Sequence, residues 1–228
     1  MTWILNNLDL IGQLILAHLA IALPPIVLSF IISVPIGWVA NRYRWSRGVL
    51  LTIGGLLYAI PSLPLFIALP TFIGTGYQDP INVVIGLTLY GIALLVRVTA
   101  DGLASVDADI RQSASAVGFS SGGRFWRVEL PLSGPVLVAG LRVVAVSTVS
   151  LTTVGAVLGI KCLGLLFTDG IQRNIPEEIW TGIVLTVAIA LVLDGLIVLI
   201  GRLLMPWSRV SAIPSRRAQR ASRRAAIA

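Results

Sequence analysis

The chain of 228 residues is charged at only 12% of its positions, against about 25% for a soluble globular protein, and its mean hydropathy is +0.92. So few charges cannot cover the surface of a soluble domain, so the composition predicts an all-α integral membrane protein with nearly all of its mass in the bilayer. It excludes a large extramembrane catalytic or ligand-binding domain, and the net charge of +7 is mostly a bias between loops rather than a nucleic-acid footprint.

Charges mark the spans. None lies between Asp9 and Arg42 or between Arg47 and Asp79, and three shorter apolar stretches follow. A helix needs about 20 mainly apolar residues to cross the hydrocarbon. The shorter stretches reach that length only by taking in Arg97, Arg142 and Asp194. Five spans are therefore predicted, near 13–40, 49–73, 81–100, 135–160 and 179–204, within one transmembrane domain over 1–210. The first span also reads as two shorter helices, which would make six.

Span 1 contains Pro24, Pro25 and Pro35, and span 2 is interrupted near its middle by Pro61-Ser62-Leu63-Pro64. Proline removes a backbone donor and crowds the preceding turn. The carbonyls it frees are tolerated at membrane depth only inside protein or beside a watery cavity. The break at Pro61, Ser62 and Pro64 is thus a candidate translocation pathway, with Phe66 and Tyr90 as aromatics that either face it or simply pack. Phe72 belongs to the same set.

Between spans 3 and 4 the loop 104–131 carries a short helix, with Asp107 or Asp109 as its cap and Gly118 as its left-handed stop. Arg97, Arg142 and Asp194 fall at similar depth, and an unpaired charge there is costly. Asp194 is predicted to pair with Arg142 or Arg97 as a gate or a permanent brace, unless each arginine snorkels to the headgroups.

Lys and Arg follow spans 1, 3 and 5 and are sparse in the loops 74–80 and 161–178. By the positive-inside bias the N-terminus is outside and the C-terminus is cytoplasmic. The tail 211–228 is basic and small-residue-rich, a disordered topology anchor lying against anionic membrane lipids. The start Met1–Asn7 has no basic region and is not read as a signal peptide. Cys162 is the single cysteine and His18 the single histidine, so neither a metal site nor a cofactor is expected.

The loop carries a resemblance. Gln112-Ser113-Ala114, then Gly118 after three residues, then Val128-Glu129-Leu130-Pro131 after nine more, resemble the EAA loop of ABC importer permeases. Gln112 stands where that pattern has Glu, and Ser113 where it has Ala. Ala59-Ile60-Pro61-Ser62-Leu63-Pro64, Leu89-Tyr90-Gly91, Arg97, Gly102-Leu103, Val106-Asp107 and Ala139-Gly140-Leu141-Arg142 are similar to the osmoprotectant subfamily. The stretch 154–164 departs from that subfamily's glycine-rich pattern.

The resemblance implies a type I ABC importer permease fold in a bacterial cytoplasmic membrane, with a coupling helix between spans 3 and 4. It implies that Gln112, Ser113, Ala114, Gly118, Phe119, Leu130 and Pro131 meet the ATPase. A second permease chain, identical or paralogous, two cytoplasmic ATPase subunits and an extracytoplasmic substrate-binding protein are the implied partners. The chain is not an enzyme, since no phosphate-binding Gly-rich loop with its Lys occurs. The implied substrate is glycine betaine, carnitine, choline or proline betaine. A methionine-type amino-acid permease is the alternative, and a secondary transporter or channel is a further one.

Overall fold

The computed structural model describes residues 2–207, and the tail 211–228 lies outside them. In chain order the helices are α1 Thr2–Asn6, α2 Leu8–Arg42, α3 Arg44–Ala59, α4 Ser62–Ile73, α5 Pro80–Ala104, α6 Ala108–Ala116, α7 Ser121–Arg124, α8 Leu130–Thr152, α9 Leu165–Gln172 and α10 Pro176–Leu204. A π-helical turn, Phe125–Glu129, joins α7 to α8, and a 3-10 turn, Thr153–Leu158, follows α8.

Four of these are long and apolar enough to span a membrane: α2, α5, the run Ser121–Leu158 and α10. Span 1 is a single helix. At 1.5 Å per residue its 35 residues reach about 52 Å, well beyond the hydrocarbon thickness, with all three prolines inside it. Neighbouring helices hold α2 where its ladder is weakened, by close small-residue packing of the kind that drives helix association in lipid. A Cβ on Gly91 of α5 would strike Ser29 of α2, and one on Gly37 of α2 would strike Thr99 of α5. On the other flank of α5, Val98 fills the notch left by Gly140 of α8.

Span 2 is not one straight crossing. The helix stops at Ala59, Ile60 and Pro61 take extended backbone, and α4 restarts at Ser62 with a bend of 104°. Alone, α3 reaches about 24 Å, too short to cross, and counted as one span the bent pair is the fifth.

Span 4 begins earlier than expected. The residues assigned to the loop up to 131 wind into one run from Ser121, so Phe125 and Trp126 are helical. Pro131 explains the π turn within that run. Its ring crowds the carbonyl one turn back, and the widened turn, in which the Leu130 N–H donates to the Phe125 carbonyl five residues earlier, relieves this.

The remaining helix starts follow ordinary capping. The Asp79 carboxylate accepts from the Ile81 N–H at 3.0 Å before Pro80 opens α5. Pro176, Glu177 and Glu178 open α10, where carboxylates suit the positive end of the helix. At one end of the bundle Phe66, Val83, Leu87, Ile160 and Cys162 form a buried core. At the other, Val34, Leu103 and Phe125 pack with Trp38 and Leu130.

Candidate coupling surface and translocation cleft

The helix foreseen after span 3 is α6. Asp107 caps it, its carboxylate accepting from the Asp109 N–H at 2.9 Å. At its other end Gly118 sits at φ 95°, the Phe119 N–H donates to the Ala114 carbonyl at 3.1 Å, and the Gly118 N–H donates to the Ser115 carbonyl at 3.0 Å. This is the paired 6→1 and 5→2 closure of a Schellman stop. None of the nine residues of α6 is buried. A free-standing helix that short is marginal in water, so α6 is pre-shaped by its caps and open to a partner.

Gln112 and Ser113 are exposed on α6, Ala114 and Phe119 are partly covered, and Leu130 and Pro131 lie in the first turn of α8. The loop residues are therefore split between a surface helix and the foot of a span. Arg124 joins the two parts. Its Nε donates to Glu129 Oε1 at 2.6 Å and its Nη1 donates to Ser115 Oγ at 2.8 Å. Glu129 is only 4% exposed. Beside it Phe125 stacks at 5.4 Å on Trp38 of α2. Neither Arg124 nor Glu129 stood out in the sequence, where they read as a topology charge and a motif letter; a carboxylate two residues before a span's opening proline was the available signal.

The break in span 2 is a second site. Tyr90 Oη donates to the Ile60 carbonyl at 2.6 Å, supplying the partner that the break takes away. Tyr58 meets Tyr90 edge to face at 5.7 Å. A cleft of about 250 Å³ is lined by Tyr58, Ala59, Ile60, Pro61, Ser62, Tyr90 and Leu151. Pro61, Ser62 and Tyr90 thus come together. Pro64 is exposed outside the cleft lining, and Phe66 is fully buried against Gly86 in the core. Phe72 is 85% exposed on α4, so the three aromatics do not converge. Tyr58, which sequence reasoning passed over, stands where Phe66 and Phe72 do not.

Among the intramembrane charges, Arg142 of α8 and Asp194 of α10 form a two-pronged ion pair, Nε to Oδ1 at 2.6 Å and Nη2 to Oδ2 at 2.8 Å. Arg97 is level with them, since its neighbour Val98 abuts Gly140, but it is exposed and joins no ion pair among the described residues. A separate ion pair ties Arg47 of α3 to Asp101 of α5 at 2.5 Å.

Outside the spans, the Cys162 thiol is fully buried and donates to the Thr152 carbonyl at 3.3 Å. Burial pushes that thiol above its ordinary pKa. It is therefore an inert core group rather than a reactive one.

This architecture has known counterparts. The family of binding-protein-dependent transport system inner membrane components matches residues 29–209. The osmoprotectant import permease protein OsmW of Salmonella typhimurium is 30% identical over 198 residues, which cover 86% of this chain and 92% of that protein. The choline transport system permease protein OpuBB of Bacillus subtilis is 26% identical over 189 residues, covering 83% and 86%. In fold the chain is similar to one from the inward-facing MetNI methionine ABC transporter, with a TM-score of 0.74 at 19% identity, covering 87% of this chain and 98% of that one. A chain of an amino acid ABC transporter crystallised with histidines gives 0.68 at 12% identity over 90% and 97%. A buried helical bundle, a capped surface helix at the foot of α8 and a match over most of the length agree, and the chain belongs to the family of binding-protein-dependent transport system inner membrane components.

Proposed function

We propose that this chain is the permease subunit of an ATP-driven importer that carries an osmoprotectant, of the glycine betaine, carnitine, choline or proline betaine type, across the bacterial cytoplasmic membrane. The observation that carries the reading is the near-full-length likeness to osmoprotectant and choline permeases. The capped, unburied helix α6 supports it, as the kind of surface through which a separate ATPase could act.

The N-terminus is outside and α6 is cytoplasmic, in keeping with the arginines beside α6 and after α10. Two permease chains, identical or paralogous, enclose the pathway; two cytoplasmic ATPase subunits hydrolyse ATP; and an external binding protein delivers substrate. Gln112, Ser113, Ala114, Gly118, Phe119, Leu130 and Pro131 form the coupling region. Pro61, Ser62, Pro64, Phe66 and Tyr90 shape the pathway, Phe66 and Pro64 by holding the broken helix. The cleft at the break offers aromatic faces of Tyr58 and Tyr90, and such faces attract a quaternary ammonium by about 0.5–2 kcal/mol. ATPase closure moves α6 and α8 and shifts the balance of inward- and outward-open states, which requires that the ATPase bind those states with different free energy. The pair Arg142–Asp194 braces α8 against α10 so that they move together.

The test is uptake of labelled glycine betaine, carnitine and choline into proteoliposomes holding this chain with its candidate ATPase and binding protein. ATP-dependent uptake of a quaternary amine is expected. ATP-stimulated uptake of methionine instead would move the substrate to the amino-acid class, and uptake without ATP would replace the importer by a secondary transporter.

A further inference from the structure

We propose that the ion pair of Arg142 and Asp194 is a recognition site for both charges of a small zwitterion, with a betaine carboxylate on Arg142 and its quaternary ammonium against Asp194. The proposal rests on the reading of the chain as an osmoprotectant permease and narrows it, favouring carboxylate-bearing betaines and carnitine over choline.

The pair stands deep in the spans and yet is open. At 1.5 Å per residue, Arg142 is about 18 Å from the start of α8 at Leu130, and Asp194 about 15 Å from the end of α10 at Leu204. The two side chains are nevertheless 44% and 23% exposed. Charges facing hydrocarbon at that depth are costly; they lie against protein or a watery cavity, where they mark substrate paths. The open side of α8 agrees, since Ala139 and Ser150 share it with Arg142 and it is not purely aliphatic.

Beside the pair lies a pocket of about 410 Å³, lined by Ala139, Arg142, Val143, Val146, Ser147 and Asp194. Its charged walls are one guanidinium and one carboxylate, so it is neutral in sum and strongly dipolar. The bond between them does not use Arg142 up. Nε and Nη2 each donate to Asp194, while Nη1 has no partner among the described residues. Asp194 thus fixes the planar group and leaves its Nη1 end for a second carboxylate, in the forked geometry arginine favours. The brace between α8 and α10 and the receptor are the same bond. A quaternary ammonium donates no hydrogen bond, so it needs only the negative carboxylate nearby and apolar walls for its methyl groups, which Val143 and Val146 supply.

A zwitterion laid head to tail on this pair sets each charge on its opposite and adds no net charge to the interior. Choline brings a cation alone, leaving the Nη1 end unfilled and a charge uncompensated. The pocket also continues the aromatic cleft. Ser147 lines the pocket, and Leu151, one turn and about 6 Å further along α8, lines the cleft of Tyr58 and Tyr90. The cleft attracts the ammonium, and the ion pair reads both charges.

The experiment is saturation-transfer NMR on the full-length permease in nanodiscs, without ATPase or binding protein, reading the N-methyl protons of glycine betaine, carnitine and choline. Glycine betaine and carnitine are expected to bind, and choline about tenfold more weakly. In Arg142→Met/Asp194→Asn, which leaves no stranded charge, glycine betaine binding falls about tenfold while choline binding is unchanged. Val146→Phe fills the pocket and keeps the pair. It has the same effect and covers the case in which the double variant does not fold.

Equal losses for glycine betaine and choline, or no loss in either variant, make the pair a brace alone and overturn the proposal. So does displacement of glycine betaine by chloride or sulfate at equal concentration, which means a plain anion site. Absence of any signal on the wild-type chain overturns the site as well, while ATP-dependent uptake would still uphold the importer reading. Arg142-dependent binding of methionine, with none of any quaternary amine, supports the zwitterion site and overturns the osmoprotectant reading instead.

Discussion

Tyr90 shows how one hydroxyl makes a broken helix tolerable. Its bond to the Ile60 carbonyl replaces the N–H that Pro64, four residues on, cannot donate, and a polar group left unsatisfied away from water costs about 1–3 kcal/mol. Tyr90→Phe keeps the ring and loses the bond. A lower thermal midpoint in detergent, corresponding to a loss in that range, is expected, with uptake reduced more than expression. Arg142 and Asp194 are a second case. Asp194→Asn strands a guanidinium within the bilayer, so low yield and low uptake are expected, with partial recovery in the double neutral variant Arg142→Met/Asp194→Asn. Equal defects in the single and double variants, measured as folded yield and uptake, would show that the two residues act separately.

At the scale of elements, α6 depends on its stops more than on its length. Gly118 occupies a left-handed backbone with nothing within 4 Å of a built Cβ, so a side chain there is strained rather than crowded. Gly118→Ala should cost about 1–2 kcal/mol at that turn, loosening α6 and lowering ATPase binding without unfolding the spans. Intact circular dichroism with reduced ATPase co-purification is the expected pair of results. A cap at Asp107 or Asp109 and the stop at Gly118 were legible in the sequence, because capping is decided by neighbours within a few residues, and the structure chose Asp107. The π turn before Leu130 was not. It arises from Pro131 meeting a helix that tertiary packing of Phe125 on Trp38 extends backward, and periodicity alone does not register such a contact.

For the whole molecule, orientation and core packing are tested together by cysteine labelling. Native Cys162 should resist a membrane-impermeant maleimide from either side until denaturation, because it is wholly buried and burial raises its pKa. On a Cys162→Ser background, Thr75→Cys should label in intact cells and Ser113→Cys only after permeabilisation. The reverse pattern would invert the topology. The apolar cleft of about 670 Å³ lined by Phe30, Val34, Leu137, Leu141 and Ile200 belongs to this scale as well, since its walls come from α2, α8 and α10 and no one helix encodes it.

The sequence by itself determined the membrane class, the approximate places of the spans, the break at Pro61, the stop of α6 at Gly118 and the family resemblance. Each depends on local composition or on spacing along the chain, and the bilayer sets the required apolar length. Only the tertiary structure decided that span 1 is continuous, that span 2 turns through 104°, that Asp194 meets Arg142 rather than Arg97, and that Arg124 links α6 to α8. Those outcomes depend on which faces of distant helices meet. Small residues such as Gly91, Gly37 and Gly140 set how closely the helices pack, and that arrangement lies beyond any local window.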